Sequence, residues 1–205
     1  NISTARLGLT LGVDSVVRTL KRLGVEQKLN PYPSLMLGAA EMSPLQVARM
    51  YQTFASGGFA TPLRSSTAVL AAESAPLQRY PLYVSAAVEP AAIDLITPAM
   101  QHVVREGTGQ AVFQVLPAAQ DVAGKTGTTD DLRDSWFVGF TGDRLGVFWV
   151  GYDDNRPTGL TGSSGALRIW RDVFADFGVS AALQYPGDDI EYHWIDTFTG
   201  LLADE

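Results

Sequence analysis

Seven consecutive residues, Ala123-Gly124-Lys125-Thr126-Gly127-Thr128-Thr129, set one cation, three hydroxyls and two glycines side by side. Glycine packs nothing and weakens a strand interior, but it lets another backbone come close. A strand edge of this composition can take an extended peptide by strand addition. An ammonium and hydroxyl groups beside that edge are suited to holding a carboxylate. The plain alternative is an exposed, polar strand end with a chance lysine. A phosphate-binding loop is a further reading, since Gly124-Lys125-Thr126 fits the end of G-x-x-x-x-G-K-[ST]. Its opening glycine should stand at 119, where the chain has Ala119. The residues after Lys125 also start a helix poorly, and a phosphate loop must run into one.

Other chemistries have little material to draw on. The chain has no cysteine, which excludes a disulfide framework, a zinc ribbon, an iron–sulfur site and a thiol nucleophile. The two histidines, His102 and His193, stand far apart with no partner evident in the sequence. This argues against a His-rich metal site and a Ser-His-Asp triad. With 15 Lys plus Arg against 22 Asp plus Glu, the net charge of −7 disfavours nucleic-acid binding. The pairs Asp130-Asp131, Asp153-Asp154 and Asp188-Asp189 read as solvated turns, because a calcium site needs a denser oxygen array. Trp136, Trp149, Trp170 and Trp194 read as core or sheet-face packing. No cofactor and no metal are called for.

The elements that must position the segment follow from local signals. Asp14 is placed to cap a helix with Val16, Val17, Leu20 and Leu23 on one face, stopped by Gly24. Ser43, Pro44 and Gln46 form the clearest helix start, a capping box with proline at the first position. That helix ends at Gly57-Gly58. Residues 63–72 and 79–85 read as short strands. Pro90 to Glu106 is helical, with Pro98 expected to kink or split it. Gly107-Thr108-Gly109 makes a turn. Residues 121–129, 134–141 and 145–152 read as an antiparallel meander around the turn Thr141-Gly142-Asp143-Arg144. A helix follows from about Gly165 to Phe177, and residues 190–195 alternate as a strand should. No apolar run approaches the roughly 20 residues that a membrane span needs.

Lys125-Thr126-Gly127 on a predicted strand also matches the K-T-G element of penicillin-binding proteins and serine β-lactamases. Its surroundings resemble the transpeptidase domain of class A, bifunctional penicillin-binding proteins. They are Gly124 to Thr129, then Asp134-Ser135-Trp136-Phe137-Val138-Gly139-Phe140, then Trp149-Val150-Gly151-Tyr152. Upstream, Leu37-Gly38, Ser43-Pro44-Leu45, Ala55-Ser56-Gly57-Gly58 and Gly107-Thr108-Gly109 are similar to the same family. Gly162 to Trp170 is a looser match, with Arg168 where many members carry proline. The tail, Trp194-Ile195-Asp196 with Thr199-Gly200, resembles the 1b type. No serine is followed three residues later by lysine, so the S-x-x-K nucleophile is not in these residues. Asn1, followed by an apolar helical stretch, resembles the last residue of the S-x-N motif.

The resemblance implies an α/β (α+β) fold of the penicillin-binding protein and serine β-lactamase kind, an antiparallel sheet flanked by helices. Residues 1–205 would then be the C-terminal portion of a single transpeptidase domain that lacks its front part. It implies a DD-transpeptidase that cross-links peptidoglycan stem peptides through a serine acyl-enzyme and is inhibited by β-lactam antibiotics. Lys125 and Asn1 take catalytic roles, and Thr126, Gly127 and Thr128 bind substrate. The implied partners are the S-x-x-K region and glycosyltransferase domain of the parent chain and an outer-membrane lipoprotein activator. The implied location is the periplasm, with an anchor in the inner membrane. A DD-carboxypeptidase or β-lactamase of the same fold, and a non-catalytic sensor that binds β-lactams or peptide, stay open as alternatives.

Overall fold

The computed structural model describes residues 2–72, 74–116, 121–181, 190–196 and 198–202. Two helices open the chain, α1 (Ile2–Leu11) and α2 (Val13–Arg22). Gly12 holds the N-cap of α2 and no side chain caps that helix. Asp14 therefore does not cap it. It lies inside the first turn, where a carboxylate still favours the positive helix end. A 3-10 turn at Pro33–Leu37 leads to α3 (Pro44–Ala55). Here the capping box forms as expected. Ser43 Oγ accepts from the Gln46 N–H at 3.3 Å, and Gln46 Oε1 accepts from the Ser43 N–H at 2.7 Å.

The middle of the chain holds two small antiparallel ribbons. β1 (Phe59–Ala60) pairs with β4 (Ser85–Ala86), and β2 (Ala68–Leu70) pairs with β3 (Pro76–Arg79). The expected strands at 63–72 and 79–85 shrink to parts of these, because the ribbon residues are largely exposed and little burial holds them. α4 (Pro90–Arg105) runs through Pro98 as one helix, so the expected split does not occur. A 3-10 turn follows at Gln110–Gln114.

The main sheet is the meander β5 (Ala123–Thr128), β6 (Ser135–Phe140) and β7 (Leu145–Val150), in that spatial order. Side chains alternate across it. α5 (Ala166–Phe177) covers the face that carries Phe137, with Trp170 and Phe174 stacked at 4.0 Å and Phe137 edge-on to Trp170 at 5.3 Å. Trp170 Nε1 donates to Gly139 O at 3.2 Å, so its one polar atom is satisfied in the core. α3 covers the opposite face of β7, where Tyr51 and Phe54 meet Phe140 and Leu145. α4 runs against β5.

Beyond α5 the expected strand at 190–195 reduces to a single bridge, Ile195 to Leu202. Trp194 is 86 % exposed, so it does not pack in the core. Trp136 and Trp149 do pair on the sheet face, 6.1 Å apart. Asp188-Asp189 lies outside the described residues. The fold thus provides one well-backed strand, β5, whose outer edge is bare of strands among the described residues.

Candidate functional site

All four candidate residues of the K-T-G segment lie on β5, opposite β6. Lys125 faces Val138, Thr126 faces Phe137, Gly127 faces Trp136 and Thr128 faces Ser135. Asn1 lies outside the described residues. Alternation puts Lys125 and Gly127 on the α3 side of the sheet and Thr126 and Thr128 on the α5 side.

The ladder also orders the backbone. Thr129 N–H donates to Asp134 O at 3.3 Å, which makes 129 and 134 a bonded pair. Bonded and non-bonded pairs alternate in an antiparallel ladder. Gly124, Thr126 and Thr128 are therefore the non-bonded positions, and their N–H and C=O groups point to the outer edge. The outward Thr126 carbonyl accepts a 2.9 Å hydrogen bond from Lys125 Nζ. The ammonium is thereby folded over the strand edge. Lys125 is exposed, yet partial desolvation of its ammonium lowers its pKa from the ordinary lysine value.

The hydroxyls are already engaged. Thr126 Oγ1 lies 2.6 Å from Thr108 Oγ1. Thr128 Oγ1 accepts from the Gly162 N–H at 2.9 Å, which leaves its own hydrogen to donate. A Cβ on Gly162 would sit 2.7 Å from both Gly127 O and Trp136 O. The turn 161–165 therefore rests directly on the strand pair, and only glycine fits there. Ser135 Oγ ties that turn down, donating to Thr161 O at 2.7 Å and accepting from Ala166 N–H at 2.9 Å. Gly127 is also tightly placed, since a Cβ would lie 3.0 Å from Trp136 Cβ and that side chain would have to give way.

The hairpin end of β5 is closed by a polar cluster. Asp134 accepts from Thr129 Oγ1 and from Trp149 Nε1, both at 2.9 Å. Thr158 Oγ1 donates to Leu132 O at 2.7 Å and holds the hairpin tip against the following loop. The arrangement is a strand edge with outward N–H donors, a cation folded over it and the hydroxyls of Thr126 and Thr128 beside it. That set can bind an extended peptide and an anionic group together.

Sequence reasoning missed Thr108, Ser135 and Gly162 as parts of this site. A hydroxyl between two glycines was the available signal for Thr108. The expectation that the histidines lack partners is corrected. His102 Nδ1 lies 3.7 Å from Glu106 and His193 Nε2 lies 3.3 Å from Glu191. Both pairs are exposed and distant in sequence from β5, and nothing ties them to the site.

Residues 1–174 match the family described as the penicillin binding protein transpeptidase domain. The chain is 44 % identical over 187 residues to penicillin-binding protein 1B of Vibrio cholerae, covering 91 % of this chain and 24 % of that protein. It is 38 % identical over 191 residues to penicillin-binding protein 1B of Escherichia coli, covering 93 % of this chain and 22 % of that one. The chain thus spans about a quarter of the length of these relatives. Among solved structures, penicillin-binding protein 1A of Haemophilus influenzae superposes with a TM-score of 0.88 at 24 % identity, over all of this chain and 37 % of that one. The PonA1 protein of Mycobacterium tuberculosis, solved with penicillin V, superposes at 0.70 and 22 % identity, over 89 % of this chain and 55 % of that one. At these identities the structures establish the shared fold.

Proposed function

The chain belongs to the transpeptidase-domain family of the class A penicillin-binding proteins, and from that premise we propose that residues 1–205 are the C-terminal portion of one DD-transpeptidase domain. Its parent cross-links peptidoglycan stem peptides in the periplasm and is acylated by β-lactams. The attacking serine comes from an S-x-x-K motif elsewhere in the parent protein. The observation that carries the reading is the outer edge of β5, where backbone donors, ammonium and hydroxyls stand together.

In this reading the substrate or β-lactam lies along that edge. The Thr128 N–H, at an outward position of the ladder, donates to the developing oxyanion. Such a donor contributes about 3 kcal/mol to the transition state. Thr126 and Thr128 hydroxyls hold the carboxylate, and Lys125 supplies positive potential and assists proton transfer through the S-x-N serine. Asn1 donates its side-chain amide to the substrate's peptide carbonyl. Gly127 keeps the strand open to close approach. The serine oxygen displaces the terminal D-alanine of one stem peptide, and the acyl group then passes to an amine of a neighbouring one, whose proton returns to the serine oxygen as the cross-link forms. Among the described residues no helix is long and apolar enough to cross a membrane.

The test is acylation of the full-length protein by a fluorescent penicillin. Lys125→Ala is expected to slow acylation on the order of 100-fold with the fold intact. In the unsubstituted protein, acylation should decline at a pH below that at which an ordinary lysine deprotonates. The reason is that desolvation lowers the Lys125 pKa, so the cation is lost earlier as pH rises. Near-normal acylation of Lys125→Ala would overturn the role given to Lys125.

A further inference from the structure

The hydroxyl of Thr126 does not stand alone. Thr108 Oγ1 lies 2.6 Å from it, although 18 positions separate the two in sequence. Thr108 sits in a turn that the main chain locks to the end of α4. The N–H groups of Gly107 and Gly109 both donate to Val103 O, at 3.1 and 3.0 Å. A Cβ on Gly109 would lie 2.9 Å from Val104 Cα, so the turn lies flat on the last turn of the helix. Val104 is itself fully buried in the core that backs β5. Thr108 is therefore held in place by helix, core and backbone, not by its own side chain.

Two hydroxyls carry two hydrogens, and one of these is shared between them. When Thr126 donates its one hydrogen to an anion, it can only be the acceptor in its bond with Thr108. The hydrogen bonds then run in one direction, from Thr108 to Thr126 to the anion. A chain of this kind polarises each member and strengthens the outer bond. It also stops a hydroxyl rotor that would otherwise turn to suit any neighbour.

We propose that Thr108 is a positioning residue that aims the Thr126 hydroxyl at the carboxylate of substrate or β-lactam. This rests on the assignment of Thr126 to carboxylate binding made above. Thr108 touches no reacting atom and acts through Thr126.

The test compares acylation rate constants of the full-length protein for a carboxylate-bearing penicillin and for its methyl ester. Thr108→Val keeps the shape and removes the hydroxyl. It is expected to slow the carboxylate probe about five- to tenfold, the size of one net hydrogen bond. The ester should change by less than about twofold, and Thr108→Ser should keep the carboxylate rate within about twofold of the original. If Thr108→Val slows both probes equally, the residue is only structural and the proposal falls. If Thr108→Val leaves the carboxylate rate unchanged while Thr126→Val lowers it, this proposal falls and the role of Thr126 stands. If Thr126→Val also leaves that rate unchanged, the assignment of Thr126 falls and takes this proposal with it.

Discussion

The β5–β7 sheet and helix α1 use apolar residues in opposite ways. Behind the sheet, Phe137 and Trp170 are fully buried and interlock with Val104, Val112 and Leu167. Along α1, Leu9 and Leu11 are 53 % and 62 % exposed, and only Gly8 is buried. Hydrophobic burial scales with the area removed from water, so within these residues the sheet is held firmly by its own contacts and α1 adds few. A strand edge that must keep ammonium, hydroxyls and N–H groups in register belongs in the firmly held region. Locally stable elements open least often.

Three substitutions, read by native-state hydrogen exchange of the full-length protein, would break or sharpen this contrast. Trp170→Ala should have the largest effect, about 3–5 kcal/mol lost from the protection of β6 and β7 amides, because a large aromatic cavity opens between sheet and helix. A loss under 1 kcal/mol would show that the core does not hold the sheet. Ser135→Ala should come next. It strips the partner from the Ala166 N–H at the start of α5 and removes one donor from Thr161 O, which keeps the Gly165 N–H. Protection around residues 161–166 should fall by about 1–3 kcal/mol. Leu11→Ala should have the smallest effect, within about 0.5 kcal/mol anywhere in the sheet. A sheet that loosens on Leu11→Ala would erase the difference between the two regions.

How far the residues announced this arrangement differed along the chain. Ser43, Pro44 and Gln46 specify a helix start by contacts three residues apart, and that start formed as read. The meander was legible because its apolar strands are separated by short polar turns. Asp14 misled because its side chain can cap a helix, whereas Gly12, with φ near 86°, already ends the chain's path between α1 and α2. Residues 190–195 alternate like a strand, yet Tyr192 and Trp194 are exposed and, among the described residues, one bridge is all that forms. Alternation reports a face ready for burial, not the presence of a cover. At the site, Lys125, Thr126, Gly127 and Thr128 stood out by type and spacing. The support of Thr126 by Thr108, and of the strand pair by Gly162 and Ser135, depends on contacts between segments far apart in sequence. No local pattern encodes such contacts.

The outward groups of Thr126 and Thr128 have a second consequence. A strand that shows unpaired N–H and C=O groups is a template on which another copy can build a sheet. β5 is only six residues long, and Lys125 lies near its middle. Two copies pairing edge to edge about that middle would bring two ammonium groups together with little solvent between them. Charged side chains on exposed edges, lysine above all, are a common guard against such pairing. The same cation that would draw in an anionic peptide thus keeps the edge from being filled by the protein itself.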